Sequence, residues 1–190
     1  MNLRSAIPSG MVRSYIFLMM LIGFGGCAGD VTRDEKQDSG KIKEHLVNAN
    51  RIFVESESAQ IDAYLERHRL TMKTTGTGLR YLLLKQSPDG LHPEPEDTVF
   101  LNYEVSLLDG TPCYNTKGIP IEFTLGKAEM PRGMEEAVSM MKPGDSCVAV
   151  LPSHLAYGFT GDGDRIPGNA ATVYYISLVK ISKSVASKSP

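Results

Sequence analysis

The apolar positions of this chain change their period several times, and each change marks an element. From Lys41 to Leu70 the spacing is helical. Ile61, Tyr64, Leu65 and His68 fall at i, i+3, i+4 and i+7, and Ser56 or Ser58 is placed to cap the start. An earlier helix is expected around Ile42 to Phe53. Gly76-Thr77-Gly78 then breaks the chain, and Leu79 to Lys85 reads as a strand. Pro93 and Pro95 make Pro88 to Asp97 a loop, after which Thr98 to Leu108 is the next strand. Asp109-Gly110 is a hairpin-turn signal, because both residues tolerate positive φ. Ile121 to Leu125 is a short strand stopped by Gly126. Helical spacing returns in Pro131 to Met141, where Met134, Ala137, Val138 and Met141 share a face and Glu135 and Glu136 lie near the start, favoured there by the helix dipole. Lys142-Pro143-Gly144-Asp145 ends it, and Ser146 to Leu151 is a strand. Gly158, Gly161, Gly163, Pro167 and Gly168 force a loop from Tyr157 to Asn169, and the β-branched and aromatic run Thr172 to Ile181 closes the pattern as a strand. The pattern predicts an α+β fold, with about five or six mostly antiparallel strands around one short helix whose apolar stripe faces the sheet.

A loop hung between buried strands is a usual place for a binding site. Tyr157 opens this one and Tyr174 follows it, which suggests a concave aromatic site for a small apolar group. The other reading makes both tyrosines ordinary core residues with wet hydroxyls. Composition narrows the classes. With 20 basic and 22 acidic residues the formal net charge is −2, so the chain has no electrostatic footprint for nucleic acid. Three cysteines and four scattered histidines without ligand spacing argue against a disulfide scaffold and a structural zinc site. Neither a metal nor a cofactor is expected.

The amino terminus carries a targeting signal. Arg4 and Arg13 precede an apolar run from Tyr15 to Phe24, followed by Gly25, Gly26 and Cys27. The run is too short to span a bilayer, which takes about 20 residues. It resembles the lipobox of a bacterial lipoprotein, with Phe24 where leucine is usual, and the resemblance implies that Cys27 is diacylated and becomes the mature amino terminus. A plain secretory signal with an incidental cysteine is the alternative, and a start at Met11 gives a signal of more typical length. Residues 28–40 are mostly polar and charged and are expected to form a flexible tether. Residues 41–70 form the helical segment, residues 71–182 the folded domain and residues 183–190 a disordered tail.

The order of motifs over residues 98–181 resembles the FKBP-type peptidyl-prolyl cis-trans isomerases. The matching pieces are Val99-Phe-Leu-Asn-Tyr103, Leu108-Asp-Gly110, Phe123-Thr-Leu-Gly126, Arg132-Gly-Met-Glu-Glu136, Met141-Lys-Pro-Gly-Asp145, Leu155-Ala-Tyr-Gly158 and Ile166-Pro-Gly-Asn-Ala170. Upstream, Gly76-Thr-Gly-Leu-Arg-Tyr81 is similar to the lead-in of bacterial envelope members. The resemblance implies a twisted antiparallel half-barrel wrapped around one short helix, with a hydrophobic pocket between helix and sheet. By position that pocket would be lined by Tyr103, Cys113, Tyr114, Ile121, Phe123, Met130, Pro131, Met134, Tyr157 and Tyr174. Tyr103, Phe123 and Tyr157 match the family's residue types, and Tyr174 nearly matches a phenylalanine. Cys113 and Ile121 stand where phenylalanines are usual, Tyr114 replaces an aspartate, and Met134 takes a floor position held by tryptophan or leucine. At Pro131 the family offers a backbone N–H to a ligand carbonyl, and proline has none.

The resemblance implies rotation of X–Pro bonds in proline-containing unfolded or partly folded polypeptides, with Tyr157 donating its hydroxyl to the substrate carbonyl and Tyr103 as the second catalytic candidate. The alternative is a catalytically weak FKBP-like polypeptide-binding or chaperone module. In an oxidising envelope, Cys113 and Cys147 could pair. The chain is expected to be anchored to a membrane by lipid, in the bacterial envelope, facing the periplasm or on the outer membrane. Residues 41–70 could pack on the domain or pair two copies as a homodimer. Every pocket position lies between Tyr103 and Tyr174, so residues 41–70 are expected to be separable from catalysis.

Overall fold

The structure, a computed structural model, describes residues 32–184. The expected signal segment with Cys27, the first residues of the expected tether and the last of the expected tail lie outside the described residues. The chain divides into two units between Ala49 and Asn50. The described part of the first is helical and belongs to α1 (Thr32–His68). Within it Ile42, Leu46 and Val47 are exposed. Thus α1 is one continuous helix where the sequence suggested a tether to residue 40 and then two helices. No proline interrupts the stretch, and its Lys, Glu, Gln and Arg residues are good helix formers, so the polarity that reads as a tether equally suits a solvated helix. Ser56 and Ser58 lie inside the helix and cap nothing; Ser58 Oγ instead accepts a 2.7 Å bond from Arg80 Nη2.

The second unit holds a seven-stranded sheet. Its strands are β1 (Lys73–Thr74), β2 (Arg80–Lys85), β3 (Thr98–Leu107), β4 (Pro112–Asn115), β5 (Ile121–Thr124), β6 (Ser146–Leu151) and β7 (Thr172–Ser182). They run in the order β1-β2-β6-β7-β3-β4, with β5 also on β3, and every pairing is antiparallel. Strand β3 pairs with β7 along its whole length; on its other edge Thr98–Leu101 pair with β5 and Glu104–Ser106 with β4. Between the two short strands Thr116 keeps the ladder closed, its N–H donating to Tyr103 O at 3.0 Å while its Oγ1 accepts from Tyr103 N at 3.2 Å. The sequence pattern misses β1 and β4, which are short and carry no run of alternating apolar residues. At the turn before β4 only Gly110 has positive φ (88°), while Asp109 contributes through its side chain, accepting from Thr111 N at 2.9 Å.

The short helix α2 (Arg132–Ser139) lies on one face of the sheet, its Met134, Ala137 and Val138 buried in a cluster with Val99, Leu101, Cys147, Ala149, Leu151, Tyr174, Ile176 and Leu178. Alternation in β6 sends Val148 and Val150 to the other face, where they meet Val173 together with Ile61 and Tyr64 of α1. Strand β6 is therefore covered on both faces. A fully buried Ile contributes roughly 1.5–3 kcal/mol, so Ile61 ties this second cluster to the folded domain. A domain beginning at residue 71, as expected from the sequence, would lack Ile61 and Tyr64 on this face of the sheet. Lys183 and Ser184, expected to belong to the tail, are bonded to the domain. Asp97, 1 % exposed, accepts bonds from Lys183 Nζ at 2.8 Å and Ser184 N at 3.0 Å, so these two residues are fixed.

Candidate functional site

The candidate residues are brought together at one end of the α2 face. Tyr103 comes from β3, Cys113 and Tyr114 from β4, and Ile121 and Phe123 from β5, two apart and so on the same side of the strand. Met130 and Pro131 precede α2, with Pro131 at its N-cap (φ −53°, ψ 140°), so the expected helix starts one residue later and ends at Ser139 rather than Met141. Proline at the mouth of a helix loses nothing, since the N–H there has no intrahelical partner; its carbonyl accepts from Met134 N at 2.9 Å and Glu135 N at 3.1 Å. Cys113, Phe123, Met134 and Tyr174 are buried and form a floor; Tyr103, Tyr114, Ile121, Met130 and Tyr157 are half-buried and pack against it as a rim. The Tyr103 and Tyr174 rings meet at 5.9 Å and 41°.

The helix can lie this close because residue 133 has no side chain. A Cβ on Gly133 would stand 2.6 Å from Leu151 Cγ and 3.0 Å from Leu155 Cβ. On the β4 side an open hollow of about 510 Å³ is lined by Tyr103, Cys113, Tyr114, Ile121, Lys117 and Arg165 among others. A second hollow of about 260 Å³, lined by Leu84, Tyr175 and Ser177 among others, includes Tyr103 but no other candidate residue, so the hollow on the β4 side, which takes in Tyr103, Cys113, Tyr114 and Ile121, is the better candidate, although Phe123, Met130, Pro131, Met134, Tyr157 and Tyr174 are not among its lining residues.

Tyr157 follows a 3₁₀ turn, Ser153–Leu155, and begins the loop read from its glycines. Asp162 organises that loop, its Oδ1 accepting from the N–H groups of Asp164, Arg165 and Ile166 at 2.9, 3.0 and 2.8 Å. Arg165 Nη1 donates to Cys113 O at 2.7 Å, and its guanidinium stands 5.4 Å from the centre of the Tyr114 ring. At Gly168 a Cβ would lie 2.1 Å from Phe159 O, so the loop folds back on itself only with glycine there.

Burial favours the neutral form of two of the site's phenols, Tyr174 and Tyr103. Burial, reinforced by the Tyr157 phenol, holds the Tyr174 pKa far above the usual phenol range, and burial with the same neighbour raises Tyr103. Although the Tyr157 phenol acts on Tyr174 in this way, among the described residues no partner meets the buried Tyr174 hydroxyl in hydrogen-bond geometry. Cys113 and Cys147 are free thiols; burial raises both, Cys147 to about 11. No cluster of metal-ligating groups occurs among the described residues. Thr116, Asp162 and Arg165 escaped the sequence reading, although the Asp-Gly-Asp run at Asp162 is a turn signature that could have flagged it.

The family model for FKBP-type peptidyl-prolyl cis-trans isomerases matches residues 90–179. FK506-binding protein 1B of Aspergillus fumigatus is 32 % identical over 113 residues, which are 55 % of this chain and 94 % of that protein. The chain belongs to the FKBP-type isomerase family. Among its bacterial members, the probable FKBP-type peptidyl-prolyl cis-trans isomerase FkpA of Neisseria meningitidis is 32 % identical over 151 residues, covering 77 % of this chain and 53 % of that protein. The peptidyl-prolyl cis-trans isomerase Mip of Coxiella burnetii is 34 % identical over 114 residues, 59 % of this chain and 48 % of the other. The chain thus spans about half the length of these two relatives. The crystal structure of FkpA from Escherichia coli superposes with a TM-score of 0.59 at 22 % identity, covering 94 % of this chain and 84 % of that one, and shows the same FKBP-type fold.

Proposed function

We propose that this chain is a peptidyl-prolyl cis-trans isomerase that turns X–Pro bonds of unfolded or partly folded polypeptides in the cup between α2 and the sheet. The observation that carries the reading is the half-buried Tyr157 at the rim of a floor made by Cys113, Phe123, Met134 and Tyr174. Rotation about the peptide bond faces a barrier of about 18–20 kcal/mol set by amide resonance. Resonance weakens when the amide nitrogen is twisted out of plane, and the twisted form carries less charge on its carbonyl oxygen. An apolar cup that takes the proline ring and partly dries the amide therefore favours the twisted form over the planar one. Each tenfold acceleration needs about 1.4 kcal/mol of such preference. No charged catalyst is required. Tyr157 supplies a hydroxyl to hold the carbonyl preceding proline, Tyr103 packs beside it, and Ile121, Met130 and Pro131 complete the rim.

The test is an isomerisation assay on X–Pro peptides with X varied. Acceleration that falls on Tyr157→Phe is expected, and no acceleration for any X would sink the proposal. The binding-module alternative is not favoured, since the bacterial relatives above are named as isomerases.

We also propose that the protein is a lipid-anchored protein of the bacterial envelope, on the support of the apolar run before Cys27. A fatty-acid analogue should label the wild-type protein and not Cys27→Ser, whereas equal labelling removes the anchor. Two acyl chains anchor stably where one binds marginally, so the variant should be released. Pairing of two copies through the upstream part of α1 is supported by exposed Ile42, Leu46 and Ile52. Leu46→Glu should convert a dimer to a monomer in sedimentation, and a wild-type monomer at all concentrations would exclude the pairing.

A further inference from the structure

Glu57 lies on α1, outside the segment that carries the candidate pocket, yet its side chain is turned inward and the residue is only 5 % exposed. Its Oε1 accepts a 2.7 Å bond from the backbone N–H of Ser153, itself buried. Ser153 is the first residue of the 3₁₀ turn that precedes Tyr157. The N–H at the start of such a turn has no partner within it, and in a buried place it must find one. Glu57 meets that need with a carboxylate, the stronger kind of acceptor.

The other side of the same residue holds the tyrosine's own stretch of chain. Ser153 O accepts from Ala156 N at 3.0 Å and from Gly158 N at 2.8 Å, so Tyr157 lies between two backbone groups fixed to Ser153. Across the turn, Leu155 is pressed against α2 at Gly133. The turn is held from α2 through Leu155 and from α1 through Glu57. We infer that Glu57 is a positioning residue for the isomerase site, setting the place of Tyr157 through the Ser153 peptide. The upstream helix is then a working part of the site. The inference rests on the proposed isomerase reading.

A buried clamp with no effect on the site would lower stability and leave turnover by the folded protein unchanged. Positioning predicts a different result. In the full chain, Glu57→Leu keeps the bulk of the side chain without its acceptor and should lower kcat for an X–Pro peptide about tenfold in folded protein, as small misplacements of a working group do. Glu57→Gln, which keeps an acceptor oxygen, should restore most of it. The deciding measurement is the pair with Tyr157→Phe: once the hydroxyl is gone, adding Glu57→Leu should cost little more. Ser153→Pro deletes the same bond from the donor side and replaces Glu57→Leu if that variant does not fold. Wild-type kcat in either folded variant overturns the inference, as does an undiminished loss in the Tyr157→Phe background. If neither variant folds, the bond is structural and the inference falls as well. An inactive wild-type chain would instead remove the isomerase reading itself.

Discussion

The hydroxyl of Tyr114 donates a 2.6 Å hydrogen bond to Asp162 Oδ2, tying β4 to the loop that follows Tyr157. The resemblance puts Tyr114 where an aspartate is usual, and in this chain its phenol serves as a latch. Removing the hydroxyl with Tyr114→Phe should speed amide exchange at Asp164, Arg165 and Ile166, whose N–H groups are gathered by the same carboxylate, while the sheet stays protected. Unchanged exchange there would show that Asp162 holds the loop alone.

The latch also has a pH range. The Tyr114 hydroxyl, with further help from the N–H groups of Asp164, Ile166 and Arg165, outweighs partial burial and holds Asp162 at about 2, below its ordinary 3.8. A lowered carboxyl pKa gives stability that is present above the ordinary value and lost as pH falls through the folded one. The loop should therefore loosen between about pH 4 and pH 2. Conversely, the Asp162 bond raises the Tyr114 pKa above its ordinary 10.0, so its contribution is complete below pH 10.0 and fades only as pH climbs beyond that. Following loop exchange against pH in wild type and Asp162→Asn checks this: the variant should lose the acid step.

Tyr174→Phe should make the protein more stable. Among the described residues the buried Tyr174 hydroxyl has no partner in hydrogen-bond geometry, with Tyr157 its near neighbour, and a buried polar group left unpaired costs about 1–3 kcal/mol. A higher Tm is expected from thermal melts. A lower one would mean that the hydroxyl is satisfied in solution, with Tyr157 as the neighbour to examine.

Cutting the chain at residue 71 should unfold it, whereas starting at Asn50 should not. The longer cut uncovers Val148, Val150 and Val173 and takes away the Ser58 and Asp62 oxygens that receive Arg80 Nη2 at 2.7 and 3.1 Å. Comparing the two truncations by circular dichroism and by size decides the point. A cooperative melt from the shorter protein would restore the boundary read from the sequence.

Macrolides of the kind that FKBP-type proteins bind should bind this chain poorly. Pro131 cannot donate to a ligand carbonyl, which costs about 1–3 kcal/mol through the unpaired group, and Met134 offers no ring at its place in the floor. Pro131→Ile should recover part of the affinity. Met134→Trp adds a ring at a fully buried position, so overpacking will offset some of its gain. Titration calorimetry is the check, and nanomolar binding by the wild type would refute this view of the pocket.

The parts of this fold that were legible in the sequence are those whose signal is local. The periods of 2 in Thr98 to Leu108 and of 3.6 around Met134 mark elements that exist because one face of each is buried, and the glycines after Tyr157 mark a loop that no other residue could make. Thr116 and Glu57 were illegible for the opposite reason. Each acts on a backbone group far away in the chain, and nothing next to a threonine or a glutamate in the sequence says which peptide it will serve. The candidate site residues were placed by position within a motif order, but what Tyr114 does there appears only when Asp162 stands opposite it. Helix α1 misled in a further way: a polar helix and a solvated tether have the same composition, so nothing in residues 32–40 marks them as the start of a helix that runs on to His68.

The two-sided cover of β6 sets a schedule for the chain as it is made. Ile61 and Tyr64 emerge early, but the valines they lie against belong to strands near the other end, Val148 and Val150 in β6 and Val173 in β7. Contacts so distant in sequence form late and slow the search for the native state. Until β7 is complete, that face of α1 has no sheet to lie on and is open to the wrong partner. A chain proposed to help others past a slow step in folding therefore carries a slow step of its own, and its newly made form should need shelter for longer than its size alone would suggest.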